Sequence, residues 1–109
     1  GKDKAKIDLR PPREVLPGHW KSVDGRVDYY FAQEHLVMVD NGKVVGDFKL
    51  ETVEENVPEL WIKIKLDADQ ANLRTLRVDF KRKGFMETFA YQGVTINNIM
   101  LYAGAKQKP

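Results

Sequence analysis

Residues 36–53, LVMVDNGKVVGDFKLETV, carry the clearest strand–turn–strand pattern in the chain, with Asn41-Gly42 between two apolar-rich runs. Asn-Gly is typical of a two-residue type I′ turn, whose twist matches that of antiparallel strands. We therefore predict a hairpin with arms at Leu36–Asp40 and Lys43–Val53. Along the second arm, apolar residues such as Phe48 alternate with charged ones, which indicates a strand with one buried and one solvated face.

The same two-residue period recurs on both sides of this hairpin. Gly-containing turn signals at 24–25, 83–84 and 92–93 punctuate the chain, as expected between strands. The further predicted strands are Trp20–Val23, Arg26–Phe31, Leu60–Leu66, Leu76–Lys81, Phe85–Tyr91 and Thr95–Ala103.

Two segments depart from the strand pattern. Pro58 interrupts the acidic stretch Glu54–Glu59, which we predict to be a loop. Asp67–Arg74 is either one helical turn with an aspartate N-cap or a longer loop.

The predicted fold class is all-β, with about eight antiparallel strands at the spacing typical of barrels and sandwiches. A meander of strands joined by short turns leaves two exposed edges unless it closes on itself. We therefore expect an up-and-down barrel, with a β-sandwich as the alternative.

Composition bounds the domain organisation and the chemistry. The chain has 109 residues, which is enough for one domain. Residues 1–17 hold three of the five prolines and are predicted to be a flexible tether, with Val15 and Leu16 docked on the domain. The domain itself is predicted at 18–104 and a short tail at 105–109.

No cysteine is present, which excludes disulfides, thiolate metal sites and cysteine nucleophiles.

The net charge of +2 comes from the predicted tether. The whole chain has 18 basic and 16 acidic residues, and residues 1–17 hold five and three of these. The remainder is therefore neutral, with 13 of each sign. No general attraction to nucleic acid or to an anionic membrane follows from this balance.

Gly18-His19-Trp20, a G-x-W motif, opens the first predicted strand after the charged lead. With the strand pattern that follows, it resembles the calycin group, and more narrowly the small lipocalin-like domains of bacterial secreted proteins and lipoproteins. The resemblance implies a barrel in which Trp20 closes one end. Its interior would either bind a small apolar or amphipathic molecule or be filled by side chains, since both occur at eight strands.

The resemblance also implies candidate ligand contacts among the large side chains of the predicted inner face. These residues are Trp20, Tyr29, Phe31, Phe48, Ile62 and Phe80.

A second candidate site is an interaction surface on the outer face. Tyr29 and Tyr30 must point to opposite faces of one strand, and we expect Tyr30 to lie outside. Trp61 falls out of register with the apolar positions and is either an exposed contact or partly buried under the 54–59 loop. The surface comprises Tyr30, Trp61, Lys63, Lys65, Arg77 and Lys81.

No arrangement of residues predicts catalysis or a metal site. His19 and His35 lack the further ligands that zinc needs and are expected to be exposed or to lie in turns. Ser22 is the only serine and lacks the Gly-x-Ser-x-Gly context. Paired carboxylates such as 54/55 and 67/69 fall in the predicted loops. We expect no enzyme activity and no cofactor.

The segment Arg74–Lys83 carries five basic residues beside aromatic ones, a composition that single-stranded nucleic acids favour. Alternation of Leu76, Val78 and Phe80 with the charges favours instead an ordinary strand with one solvated face.

The expected function is a non-enzymatic exported barrel that binds a small apolar or amphipathic ligand. The alternative is a cell-envelope interaction or inhibitor module with a filled barrel, which would engage a protein partner or form a homodimer. Single-stranded nucleic-acid binding by the 74–83 strand is a third, less favoured function. The charged lead resembles the spacer of bacterial lipoproteins, so an export signal and a lipid-anchored cysteine are expected just upstream of Gly1. The expected location is the cell envelope or the medium, with the cytoplasm left open.

Overall fold

The computed structural model describes residues 7–67, 75–91 and 95–109 of the chain. Over these residues the chain forms a short helix followed by a succession of strands. Their bounds are α1 Pro12–Val15, β1 Gly18–Ser22, β2 Val27–Phe31, β3 His35–Asp40, β4 Lys43–Asn56, β5 Trp61–Asp67, β6 Thr75–Arg82, β7 Phe85–Tyr91 and β8 Thr95–Gly104.

The strands close into an eight-stranded antiparallel barrel. Each strand pairs with the next one along the chain, and β1 pairs with β8, with Trp20 opposite Tyr102. Closure removes both sheet edges. The predicted up-and-down barrel is confirmed, and the sandwich alternative is wrong.

The hairpin between β3 and β4 forms as predicted. Asn41 and Gly42 have φ angles of 52° and 79°, the positive values that a type I′ turn requires. Asp40 lies opposite Lys43, so the loop contains only these two residues.

Alternation along β6 confirms the predicted burial of one strand face. Leu76, Val78 and Phe80 are each at most 2% exposed, whereas Lys81 is exposed. The outer face of β6 is only partly solvated, because Arg77 is half-buried and Asp79 is 9% exposed.

The predicted acidic loop is wrong over its first half. Residues 54–56 continue β4, and only 57–60 connect it to β5. Glu54 lies opposite Lys63 and Asn56 opposite Trp61. A neighbouring strand thus pairs with the backbone and places a lysine opposite a glutamate, neither of which the local composition indicates.

Part of the predicted tether packs on the barrel. Val15 and Leu16 are 6% and 4% exposed, which confirms their docking. Pro12 occupies the start of α1, where the missing N–H costs no hydrogen bond. The packed structure therefore begins before Gly18.

Two predictions lie outside the described residues. Residues 68–74 of the predicted helical turn or loop are among them, as is the turn signal at 92–93. No helix within the described ranges has the length and apolarity needed to span a membrane.

The up-and-down topology divides the connections between two ends of the barrel. The end that carries α1, termed the α1 end, also carries the connections at 32–34, 57–60 and 83–84. The turns at 23–26 and 41–42 lie at the opposite end.

Candidate functional site

The barrel interior toward the α1 end is filled by side chains. Four of the six candidate ligand contacts, Trp20, Phe31, Ile62 and Phe80, are at most 1% exposed and belong to one core cluster. The Trp20 ring lies 6.0 Å from that of Phe80. Packing of this kind explains their burial without a ligand.

Trp20 also joins the barrel to the segment before it. Its indole Nε1–H donates to the main-chain carbonyl oxygen of Leu16 at 2.9 Å. The edge of Tyr102 packs against the indole at 5.2 Å between ring centroids. Trp20 is therefore held between the segment that precedes the barrel and the last strand.

The other two candidate contacts are less tightly enclosed. Tyr29 is 7% exposed and shares a side-chain hydrogen bond with Asn98, an exposed residue. Burial raises the pKa of the Tyr29 hydroxyl, and the bond with Asn98 lowers it by a smaller amount. Phe48 is half-buried, and its ring occupies the space beside Gly46 where a Cβ would lie.

The predicted interaction surface is largely engaged by the chain's own residues. Trp61 is 9% exposed, so its ring is buried and is not an exposed contact. Its Nε1–H donates to Glu59 at 2.9 Å, and the Arg77 guanidinium lies 4.4 Å from the ring centroid. Arg77 in turn donates to Asp79 at 2.8 Å.

The remaining members of that surface have neighbours as well. Tyr30 lies outside the core, as predicted, and stacks on His19 at 4.3 Å. Lys81 Nζ lies 3.1 Å from the Glu87 carboxylate. Lys63 and Lys65 stand opposite glutamates of β4.

The two histidines lie on strands rather than in turns and form separate pairs with aspartates. His19 is half-buried, and its Nε2 is 2.6 Å from Asp28, whose carboxylate also lies 3.0 Å from Lys21. His35 is exposed and bonds to Asp47.

Asp28 shows how these contacts act on a carboxyl group. Burial raises its pKa, but hydrogen bonds from His19 and Lys21, together with their charges, outweigh burial and hold the pKa below its usual value. The arrangement stabilises the outer face of β1 and β2.

Ser22 does not lie beside His35, which could otherwise activate it as a base. Ser22 and His35 lie at opposite ends of the barrel, and the Ser22 hydroxyl donates to Asp24 at 2.7 Å. Among the described residues, no three His, Cys, Asp or Glu side chains are grouped so as to hold a metal ion.

A concavity lies at the α1 end, and we call it the α1 groove. It is an open cleft of about 740 Å³, within the range of small-molecule sites. It is lined by residues from 13–17, 32–34 and 50–52 together with Ile62 and Gln107.

The α1 groove combines an apolar floor with a polar rim. The floor comes from the apolar lining residues. Pro17 and Ala32 are half-buried and keep accessible surface, whereas Leu16, Leu50 and Ile62 are each less than a tenth exposed. The rim carries Arg13 and the carboxylates at 14, 34 and 51, together with amide and hydroxyl groups. This arrangement can accept a molecule that has both an apolar and a polar part.

Of the predicted ligand contacts, only Ile62 reaches the α1 groove. The other lining residues were missed because they come from connections and strand ends distant in sequence. Two features of the sequence point to this groove. They are the expected docking of Val15 and Leu16 and the polar residues Gln33 and Glu34 between two predicted strands.

A second cleft lies on the outer face of β6 and β7. Its volume of about 240 Å³ is below the range typical of ligand sites. Arg82 already covers the Phe85 ring there at 4.5 Å.

Comparison of the chain with protein-family models, with curated proteins and with solved structures finds no match. The functional argument therefore rests on the geometry of the barrel and its groove.

Proposed function

We propose that the chain is a lipocalin-like barrel that binds a small amphipathic ligand in the α1 groove and catalyses no reaction. The observation that carries the proposal is a cleft of about 740 Å³ with an apolar floor and a polar rim. Export to the cell envelope belongs to the same proposal and is supported by the charged, proline-rich lead.

Because side chains fill the barrel interior, we place the ligand in the α1 groove rather than in a central cavity. Phe31 and Phe80 belong to the core cluster that fills the barrel interior, where a calyx ligand would lie, and are at most 1% exposed. Displacing such side chains costs several kcal/mol, typically about 2–5 per large residue. The α1 groove requires no such displacement.

Ligand binding is tested by NMR on the full chain, whose mass of 12.6 kDa suits amide-resolved spectra. Soluble detergent-like amphiphiles are titrated below their aggregation threshold. We expect saturable shifts at the amides of Gln33, Leu50 and Thr52, and unchanged amides at Val39 and Phe89. Saturable shifts confined to the latter residues would contradict the assignment.

A groove-filling variant sharpens the test. Ala32 lines the α1 groove, so Ala32→Trp should occupy it and weaken binding about tenfold or more. Ala103→Trp places the same side chain at an exposed position of β8 outside the groove lining and serves as the control. Equal affinities for the two variants would overturn the groove as the binding site.

The filled interior also favours the second candidate, an interaction module that needs no small ligand. Exposed apolar side chains on β4, including Val44 and Val45 at 59% and 63%, supply contact area for a partner. A concentration-dependent dimer in sedimentation experiments, lost in Val45→Lys, would support this function.

A further inference from the structure

We infer that the outer face of the β7–β8 hairpin, together with the basic turn that precedes β7, docks on the surface of an anionic lipid membrane. The inference goes beyond the proposed function, because it concerns the outside of the barrel and not the α1 groove. Two features adjoin each other on this side of the molecule. They are a patch of apolar side chains that point away from the core and a run of exposed cations.

The outer face of the β7–β8 hairpin is largely apolar. Met86 and Met100 point into the core and are at most 1% exposed, so the residues that alternate with them face outward. The outward residues are Phe85, Glu87 and Phe89 on β7 and Asn97, Ile99 and Leu101 on β8. Four of these six are apolar, although a strand with one solvated face carries polar residues there. Phe85 stands opposite Leu101, and Ile99 is 43% exposed.

The one carboxylate within this apolar patch is offset by its neighbours. Lys81 Nζ lies 3.1 Å from Glu87, and the Asn97 amide donates to the same carboxylate at 3.0 Å. These hydrogen bonds, with Asn97 contributing most, hold the pKa of Glu87 below its usual value. The patch therefore does not present an uncompensated negative charge that would repel an anionic surface.

A basic turn borders the patch at the α1 end. Lys81, Arg82 and Lys83 are consecutive and exposed, and Arg82 pairs with Phe85 across the two-residue turn. The carbonyl oxygen of Gly84 accepts the backbone N–H of Tyr102 at 2.9 Å, which places a 48% exposed tyrosine near the same turn. Cations beside aromatic and aliphatic side chains are typical of protein segments that lie in a membrane interface.

The overall neutrality of residues 18–109 hides a local excess of positive charge. On and beside the patch, four cations accompany two carboxylates, which sums to +2. These residues are Arg77, Lys81, Arg82 and Lys83 with Asp79 and Glu87. Asp8 lies close enough to Lys83 to feel its charge, but it is paired with Arg10 at 2.6 Å, and that pair adds no net charge. Each net cation near an anionic bilayer strengthens binding about fivefold.

The same contacts disfavour two other occupants of this face. Single-stranded nucleic acid stacks its bases on aromatic ring faces, but Arg82 lies 4.5 Å over the Phe85 ring and Arg77 lies 4.4 Å over the Trp61 ring. A second copy would bring two faces of charge +2 together, and like charges repel. A lipid surface needs only apolar side chains that enter the interface and cations that meet the headgroups, and it adapts to the convex wall of a barrel.

The experiment measures cosedimentation of the full chain with two kinds of vesicle. One is phosphatidylcholine alone, and the other is a mixture of phosphatidylcholine and phosphatidylglycerol. At low ionic strength, we expect binding to the anionic vesicles to be about tenfold tighter or more. Salt at about 1 M shortens the Debye length to about 3 Å and should remove most of the difference.

Matched variants tie the binding to this face. Lys83→Gln should weaken binding to the anionic vesicles about fivefold, whereas Lys43→Gln, at an exposed lysine beside the turn of the opposite end, should not. Ile99→Thr should weaken it about two- to fivefold at unchanged charge, and Val45→Thr is the matched control at that opposite end. Every variant keeps the lysines of residues 1–17, so the differences do not come from them. All four positions are exposed, and spectra verify the fold.

Each result supports or overturns the membrane assignment. Equal binding to the two kinds of vesicle, or equal losses in Lys83→Gln and Lys43→Gln, would overturn the role of the basic turn. Unchanged binding in Ile99→Thr would overturn the apolar contact. Binding of oligoglutamate or oligothymidylate as tight as that of anionic vesicles would assign the turn to an acidic protein or a nucleic acid instead of a lipid. Any of these failures leaves ligand binding in the α1 groove intact, because that site is probed separately.

Discussion

The indole Nε1–H of Trp20 donates to the carbonyl oxygen of Leu16 at 2.9 Å, which fixes the segment after α1 to the first strand of the barrel. The indole is 1% exposed, so the bond lies out of reach of water. One side chain therefore both ties the preceding segment to the barrel and positions one wall of the α1 groove.

Trp20→Phe should destabilise the protein by about 1–3 kcal/mol, because it removes this bond and leaves a small cavity. Urea unfolding measures the change. Trp61→Phe is the control, since that indole donates to the exposed carboxylate of Glu59 and its loss should cost less. Equal losses for the two variants would contradict the structural role of Trp20.

Gly46→Ala should destabilise the barrel by about 1–3 kcal/mol through overpacking. A Cβ at this position would lie 2.4 Å from Cε2 of Phe48, and Gly46 has no positive φ to add backbone strain. Phe48→Leu removes the clashing ring atoms, so in that background the same substitution should cost little. A double-mutant cycle measured by thermal unfolding should therefore show strong coupling; independent effects would refute the contact.

Gly18→Ala should be more damaging than Gly25→Ala, although both glycines have positive φ, 134° and 76°. A Cβ at Gly18 would approach the Gly104 carbonyl oxygen at 2.8 Å, whereas nothing lies within 4 Å of one at Gly25. The backbone of Gly25 lies near the left-handed helical region, where alanine costs about 1–2 kcal/mol, whereas the φ of Gly18 lies in a region that is essentially restricted to glycine. Denaturant unfolding should therefore show a larger loss for Gly18→Ala, and a loss no larger than that of Gly25→Ala would contradict the close approach.

The stability of the protein should fall in acid partly through Asp28. The folded-state pKa of this carboxyl lies below its usual value of 3.8, so its stabilisation is present above that pH and is lost as the pH falls through the folded-state pKa. Unfolding free energies across this range should decline most steeply in the wild type, less in Lys21→Met and least in Asp28→Asn. Parallel curves for the three proteins would contradict the assignment.

Much of the fold follows from local patterns. The turn at Asn41-Gly42 and the alternation along β6 predict strands that the structure confirms. The failures occur where a distant partner decides the outcome. Glu54–Asn56 is acidic and precedes a proline, yet it is a strand because β5 lies beside it.

The candidate site was less predictable than the fold. Alternation identifies which residues face inward, but it does not tell whether they leave space between them. Phe31 and Phe80, two of the candidate ligand contacts, are buried in the core cluster. The α1 groove arises from segments brought together only by closure of the barrel and docking of α1. Local sequence periodicity does not indicate that these segments lie side by side.

The pairing of β1 with β8 has a consequence for biosynthesis. These strands are the first and last of the barrel, so the contacts that close it are the most distant in sequence and the slowest to form. Until β8 has emerged from the ribosome, one edge of β1 remains unpaired. An incomplete chain therefore presents a strand edge on which other nascent chains can pair.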